Sequence, residues 1–249
     1  MTDDDRRPSP DALLAHAKAE GQGKLKIYLG AAPGVGKTYE MLSDAKKKRA
    51  DGVDIVAGVI ETHGRVETKA LCDGLQILPK RKLGYRGQEL EEMDLDGLLA
   101  RKPQVALVDE LAHTNVEGSR HPKRWMDVEE LLAAGLDVWT TLNIQHVESL
   151  NDVVARITRV RVRETVPDAI LERADEIELI DLTPDELIER LREGKVYAPD
   201  QANRALRHYF APGNLSALRE LAMRRAADRI DAQVRGHRTA LGETTPWAA

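Results

Sequence analysis

The chain has 249 residues, 42% of them hydrophobic and 32% charged, a balance that can bury a core and excludes wholesale disorder. Aromatic residues make up only 4% and the net charge is −5, which argues against a nucleic-acid binder and requires any anion site to be local. The single cysteine, Cys72, excludes an intramolecular disulfide, no run approaches the roughly 18 apolar residues of a membrane span, and the polar start MTDDDRRPSP is unlike a signal peptide. The expected compartment is the cytoplasm.

In chain order, the polar leader is followed by a short helical pattern with Leu13, Leu14 and Ala17 on one face. Residues 24–29 then read as a buried strand, a glycine-rich turn follows at once, and the next helix turns Met41, Leu42 and Ala45 inward. Residues 54–59 repeat the strand pattern, with a helix behind it carrying Val66, Ala70, Leu71 and Leu75. Residues 76–93 are ambiguous, because 83–85 fit either a short strand or a loop. A helix over 95–100 precedes a buried strand at 104–108 that delivers Asp109 and Glu110 at its carboxyl end. Helical spacing at 122–134 stops at Gly135, residues 137–142 read as a strand, and a further helix is predicted over 146–156. Residues 176–182 form the last strand, and Thr183, Pro184 and Glu186 spell a capping box with proline at the first helical position.

Strands separated by helices of this length need crossover connections, which predicts an α/β fold: a mainly parallel sheet with helices on both faces. The expected organisation is a leader with a short helix at 1–23, an α/β domain at 24–198, a helical extension at 199–238 and a linker at 239–249. The extension is expected to be helical at 202–210 and 215–234. It carries eight arginines against three acids between residues 201 and 238, so it is either a solvated tail or a docking surface for another domain or an anionic membrane leaflet.

The strongest motif is Gly30-Ala31-Ala32-Pro33-Gly34-Val35-Gly36-Lys37-Thr38, set between a strand and a helix as a phosphate-binding loop requires. Its glycines let backbone N–H groups wrap a phosphate chain, and the helix start points its positive end at the same anion. Lys37 would reach the β and γ phosphates, and Thr38 would offer a hydroxyl to Mg²⁺. The strict pattern wants glycine where Ala31 stands. A methyl group is tolerated there if the backbone φ is negative.

A phosphate loop calls for a carboxylate at the end of a second buried strand, and Asp109 fits, holding Mg²⁺ through water. Glu110 would orient or deprotonate an attacking water, or would serve as a cap or ion-pair partner. The seventy residues between Lys37 and Asp109 point to the P-loop class with an additional central strand. Polar residues leaving the other strands would line the same crevice. These are Glu61, Thr62, His63 and Arg65, then His113, Thr114 and Asn115, then Thr141 and Asn143; Asn143 is a candidate contact to the γ-phosphate or the attacking water. The histidines His63, His113, His121 and His146 match no zinc spacing and are read as hydrogen-bonding or packing groups. Residues 118–125 concentrate Arg120, Lys123 and Arg124 before a helix. They either supply a cation to a triphosphate or form a solvated basic loop.

The ordered series GKLKIYLGAAPGVGKTYEML, GVIETHGR, VDELAHTN, GSRHPKRW, TTLNIQHVESLNDVV, RETVPD and EGKVYAPDQANRALRHYF resembles the amino-terminal domain of the KdpD family, from about residue 8 to 235. Those proteins are membrane sensor histidine kinases of the potassium-transport operon. The resemblance implies a cytoplasmic input domain of a larger sensor, which in the family continues into a universal-stress-protein-like domain, four membrane helices and a histidine-kinase core. Its nucleotide motif falls on Gly30 to Thr38 and its acidic motif on Asp109 and Glu110. Expected partners are a nucleotide, the rest of the sensor and the potassium-transport complex. Three functions stay open: a regulatory ATP-binding module, an ATPase or phosphotransferase acting on a protein, and an interaction scaffold with a relic phosphate loop.

Overall fold

Strand β1 (Leu25–Gly30) is apolar at five of its six positions apart from a half-buried lysine, and it lies inside the sheet with both faces covered. The coordinates are a computed structural model and describe residues 21–85, 87–194, 196 and 209–240. After β1 come α1 (Lys37–Ala50), β2 (Ile55–Val59), α2 (Val66–Ala70), β3 (Gln76–Ile77), β4 (Arg81–Tyr85), β5 (Gln88–Glu92), α3 (Leu95–Arg101) and β6 (Val105–Val108). They are followed by α4 (Arg124–Ala133), β7 (Asp137–Asn143), α5 (Asn151–Thr158), α6 (Asp168–Arg173), β8 (Glu176–Ile180), α7 (Pro184–Arg192) and α8 (Pro212–Ala240).

The main sheet has six strands in the order β3-β2-β6-β7-β1-β8, and every pairing in it is parallel. Strand β7 stands between β1 and β6, so one strand separates the strand before the glycine loop from the strand that delivers Asp109. Because all strands point one way, their carboxyl ends and following loops share one edge.

The strand period of two sorts the core onto two faces. Tyr28, Ile55, Ala57, Val105 and Leu107 pack with Met41, Leu42 and Ala45 of α1. Ile27, Leu29, Val56, Ala106, Val108 and Val138 pack on the other side with Leu98, Val128, Leu131, Leu132 and, from α8, Leu218 and Ala222. A third cluster joins Ala32 and Val35 of the glycine loop to Leu187 and Leu191 of α7 and to Phe210 and Leu215. The loop is therefore backed by apolar packing. The capping box at Thr183 is complete, with the threonine hydroxyl accepting from the Glu186 amide and the Glu186 carboxylate accepting from the Thr183 amide at 2.8 Å.

Several local expectations change. No helix begins at 146: Ile144–His146 and Glu148–Leu150 are separate 3₁₀ turns, and the α-helix starts at Asn151. Val147 between the turns is extended and bridges Val166, with Val166 N–H donating to the His146 carbonyl and Glu148 N–H to the Val166 carbonyl, so these backbone groups are withdrawn from a helix. Helix α2 spans five residues; its buried residue is Thr68, while Val66 is 81% exposed. Leu71 and Leu75 do pack inward, beyond its end. The ambiguous stretch 76–93 contains an edge strand and an antiparallel hairpin of β4 and β5 braced by a Lys82–Glu89 ion pair.

The carboxyl-terminal arginines are partly consumed by the domain. Arg219 holds Asp181 with two donors at 2.6–3.0 Å, Arg225 pairs with Asp168 at 2.8 Å, and Arg229 donates to the Ala174 carbonyl. Together with buried Leu215, Leu218 and Ala222, these contacts seat α8 on the sheet layer. The leader helix, the stretch at 201–208 and residues 241–249 lie outside the described residues. None of the described helices is long and apolar enough to cross a membrane.

Candidate functional site

The glycine loop closes tightly because of particular backbone needs. Gly34 and Gly36 have φ of 91° and 108°, the left-handed region that side chains disfavour, and Gly36 caps α1. A Cβ on Gly30 would meet the Val35 side chain at 2.5 Å and the Lys37 chain at about 3.0 Å, so the close approach falls on Gly30. Ala31 is not among the residues with positive φ, which is the condition under which its methyl group is tolerated.

The loop opens into a cleft of about 520 Å³ at the carboxyl edge of the sheet, lined among others by Lys37, Thr38, His63, Arg65, Asp109, Glu110 and Asn143. Lys37, buried at the start of α1, donates from Nζ to Asn143 Oδ1 at the end of β7. Burial lowers its pKa to about 8. A phosphate at this ammonium would offset that desolvation by supplying the opposite charge.

Asp109 is fully buried at the end of β6. Its carboxylate accepts from the Thr38 hydroxyl at 3.1 and 3.3 Å, from the Glu61 and Glu110 amides at 3.1 Å each, and from the Thr141 hydroxyl. Burial pushes its pKa up against these donors. A hydroxyl and a carboxylate in contact form a hard-oxygen pair of the kind Mg²⁺ takes, the rest of its shell being water and substrate phosphate.

Glu110 has φ of 56°, a left-handed conformation for a residue with a side chain, and so does His63 at 50°. Such backbone persists only where its surroundings over-determine it. Here the Glu110 amide is held by Asp109 Oδ1 and Thr141 Oγ1, both at 3.1 Å, and its carboxylate meets His63 Nε2 at 3.2 Å. The histidine bond holds the Glu110 carboxyl below its usual range and raises the imidazole. Glu110 is therefore an ionised, half-exposed carboxylate facing the cleft, able to orient a water molecule.

Thus Lys37, Thr38, Asp109, Glu110 and Asn143 meet around one cleft, and His63 and Arg65 from the β2 turn join them. The basic loop does not. Arg120 is bound by Asp96 and Glu130, and Lys123 donates to Thr114 Oγ1 at 2.7 Å. Arg124 is buried behind the site, donating to the Asp109 carbonyl at 3.1 Å and to Glu92 at 3.2 Å. The histidines part ways: His63 to Glu110, His113 to Glu92, His121 to Glu130, His146 to the Glu164 carbonyl.

The contribution of Arg124 and Glu92 was not readable from sequence, because nothing in the charged hairpin marks Glu92 as buried. Glu92 also accepts from the Val116 amide at 2.9 Å, so it ties the hairpin to the loop after Asp109. Arg124→Ala removes the cation beside buried Glu92, leaving its Oε2 and the Asp109 carbonyl without the guanidinium donor, and is expected to cost about 3–5 kcal/mol, read by urea unfolding. Contacts to His113, Val116 and Arg124 lower the Glu92 pKa despite burial, which opposes the shift. Its contribution is therefore fully present above the ordinary glutamate pKa and is lost as the pH falls through the depressed folded value. In Glu92→Gln, this acid-side loss of stability should shrink; an unchanged acid limb would contradict the assignment.

Together these elements define an α/β domain whose parallel sheet presents a glycine loop, a buried lysine and two consecutive acids at one edge. Residues 21–230 match the family model described as "KdpD: Osmosensitive K+ channel His kinase sensor domain", and the chain belongs to that family. It is 56% identical over 247 residues to the sensor protein KdpD of Escherichia coli K12, covering 99% of this chain and 28% of that protein. Against the sensor protein KdpD of Clostridium acetobutylicum it is 50% identical over 246 residues, covering 97% and 27%. The corresponding figures for Mycobacterium tuberculosis H37Rv are 51% over 237 residues, covering 95% and 27%. The chain thus spans little more than a quarter of the length of these relatives.

Proposed function

We propose that this chain is an ATP-binding regulatory input domain that works, with Mg²⁺, on the cytoplasmic side of a KdpD-type sensor histidine kinase controlling potassium-transport genes. The observation that carries the reading is the convergence of the Lys37 ammonium, the Thr38 hydroxyl and the Asp109 carboxylate at the mouth of a loop whose glycines adopt left-handed backbone. The residues present fit both groups: Gly30 to Thr38 would hold the phosphates, and Thr38 and Asp109 would hold Mg²⁺, Asp109 through water. Bound Mg²⁺ would supply charge neutralisation at the terminal phosphates. Lys37 would exchange its bond to Asn143 for the β and γ phosphates, leaving the Asn143 amide to meet a phosphate oxygen or a water.

That exchange is also the start of regulation. The 3₁₀ turn after Asn143 carries Gln145, which accepts a hydrogen bond from the Tyr209 hydroxyl just ahead of α8. Nucleotide binding would bias α8, and through it the remaining domains of the sensor and the potassium-transport complex, provided the two conformations differ in ATP affinity.

Titration calorimetry with ATP, with and without Mg²⁺, tests the reading. It predicts one saturable site that Mg²⁺ strengthens; no detectable binding would leave an interaction scaffold as the function. The ionised Glu110 in the cleft favours a second reading, in which the domain hydrolyses ATP or transfers its phosphoryl group to a protein hydroxyl. Phosphate release that is abolished in Glu110→Gln while ATP still binds would support it.

A further inference from the structure

The glycine loop borders a second cleft, of about 760 Å³, that shares Gly34, Gly36, His63 and Arg65 with the first. It runs over the first turn of α1, with the turn leading into α2 on one side and the β8–α7 turn on the other. Its lining explains two exposed apolar residues that packing does not. Tyr39, on α1, is 44% exposed and Val66, at the start of α2, is 81% exposed, and both border this cleft. Ile180, Leu182 and Val196 add apolar surface, and Val196 crowds the outer side of Gly34. Arg190 reaches the loop itself, donating to the Gly34 carbonyl at 3.4 Å.

We infer that this second cleft receives the nucleoside half of the ligand, with its planar base against Tyr39 and Val66 and the first phosphate beside Arg190. The inference rests on the phosphate-loop reading and deepens it. A triphosphate lying on the loop has two ends, and Lys37, Thr38 and Asp109 assign the terminal, metal-bearing end to the first cleft. The other end must leave across Gly34 and Gly36 or over the start of α1, and the cleft found there is contiguous and of mixed lining: Arg65 and Arg190 are its cations, Glu40, Glu67 and Asp181 its acids, and Tyr39 and Val66 its exposed apolar side chains. A planar heterocycle matches this mixture, since its faces stack on an aromatic ring and on aliphatic side chains while its edge groups meet the polar ones.

The test compares ATP with inorganic tripolyphosphate, which has the same charged chain and no nucleoside. The wild-type chain should bind ATP at least tenfold more tightly. Tyr39→Ala should weaken ATP roughly tenfold, the scale of one lost stacking contact, and leave tripolyphosphate within twofold. Val66→Ser should weaken ATP about threefold with the same selectivity. Both side chains are exposed, so neither change threatens the fold. Equal affinity for the two ligands in the wild type, or Tyr39→Ala affecting both alike or neither, overturns the inference while the phosphate loop stands. A wild type that binds neither ligand overturns the phosphate-loop reading, and this inference with it.

Discussion

Lys37→Ala should weaken ATP binding by a factor of roughly a hundred or more, about 3 kcal/mol, and should not lower the thermal midpoint of the unliganded domain. The first half follows from truncating one partner of a desolvated charge pair, a change that typically costs 2–5 kcal/mol. The second follows from the unliganded site. There the ammonium is buried, its pKa is lowered to about 8, and its hydrogen bond goes to a neutral amide, Asn143. Removing an ammonium whose burial is under-compensated relieves the folded state as much as it harms it. A variant that binds ATP like the wild type would remove Lys37 from the phosphate site. One that loses ATP binding only because it has lost several degrees of stability would make the lysine a structural residue.

The second large effect is expected from Asp109→Asn. In this variant Mg²⁺ should no longer strengthen ATP binding, so that affinity measured with the metal falls to the value without it, a loss of about tenfold or more on the scale of a removed metal-side charge. The shape of the side chain is kept, and Thr141 and the Glu110 amide still find an acceptor in the Asn oxygen. The other position of the carboxylate now carries an NH₂ group facing the Glu61 amide, which also donates. The Glu61 turn should loosen as a result, visible as faster amide exchange at Glu61. A Mg²⁺ dependence identical to the wild type would place the metal on other oxygens.

What could be read in advance followed physical locality. Strands β2 and β6 are unbroken apolar runs, and β1 and β7 keep enough apolar and β-favouring residues around Lys26 and Thr140-Thr141 to be read as strands. In a parallel sheet their ends must share an edge. That is why Lys37, Thr38, Asp109, Glu110 and Asn143 could be brought together from spacing alone. The hairpin of β4 and β5 escaped because its pairing is carried by charged side chains such as Lys82 and Glu89, which give no alternation of apolar residues. The stretch after Asn143 has helical composition, yet a backbone bridge between Val147 and Val166, nineteen residues apart, overrides it. Val66 has helical spacing with Ala70 but borders a cleft. Arg124 is the instructive case. It follows Arg120 and Lys123 in a short polar stretch, so it reads as part of a basic loop, either solvated or phosphate-seeking. The chain instead turns it inward, where its guanidinium spans Glu92 and the Asp109 carbonyl and holds the acidic turn from behind.

The most direct measurement is a crystal structure of the domain grown with Mg²⁺ and a non-hydrolysable ATP analogue. The account predicts β and γ phosphate oxygens within hydrogen-bond distance of Lys37 Nζ and of the amides of the glycine loop, a metal ion beside Thr38 Oγ1 with a water between it and Asp109, and Asn143 released from the lysine. A nucleotide bound elsewhere on the domain, or one in the cleft with Lys37 still on Asn143 and Thr38 still on Asp109, would contradict it.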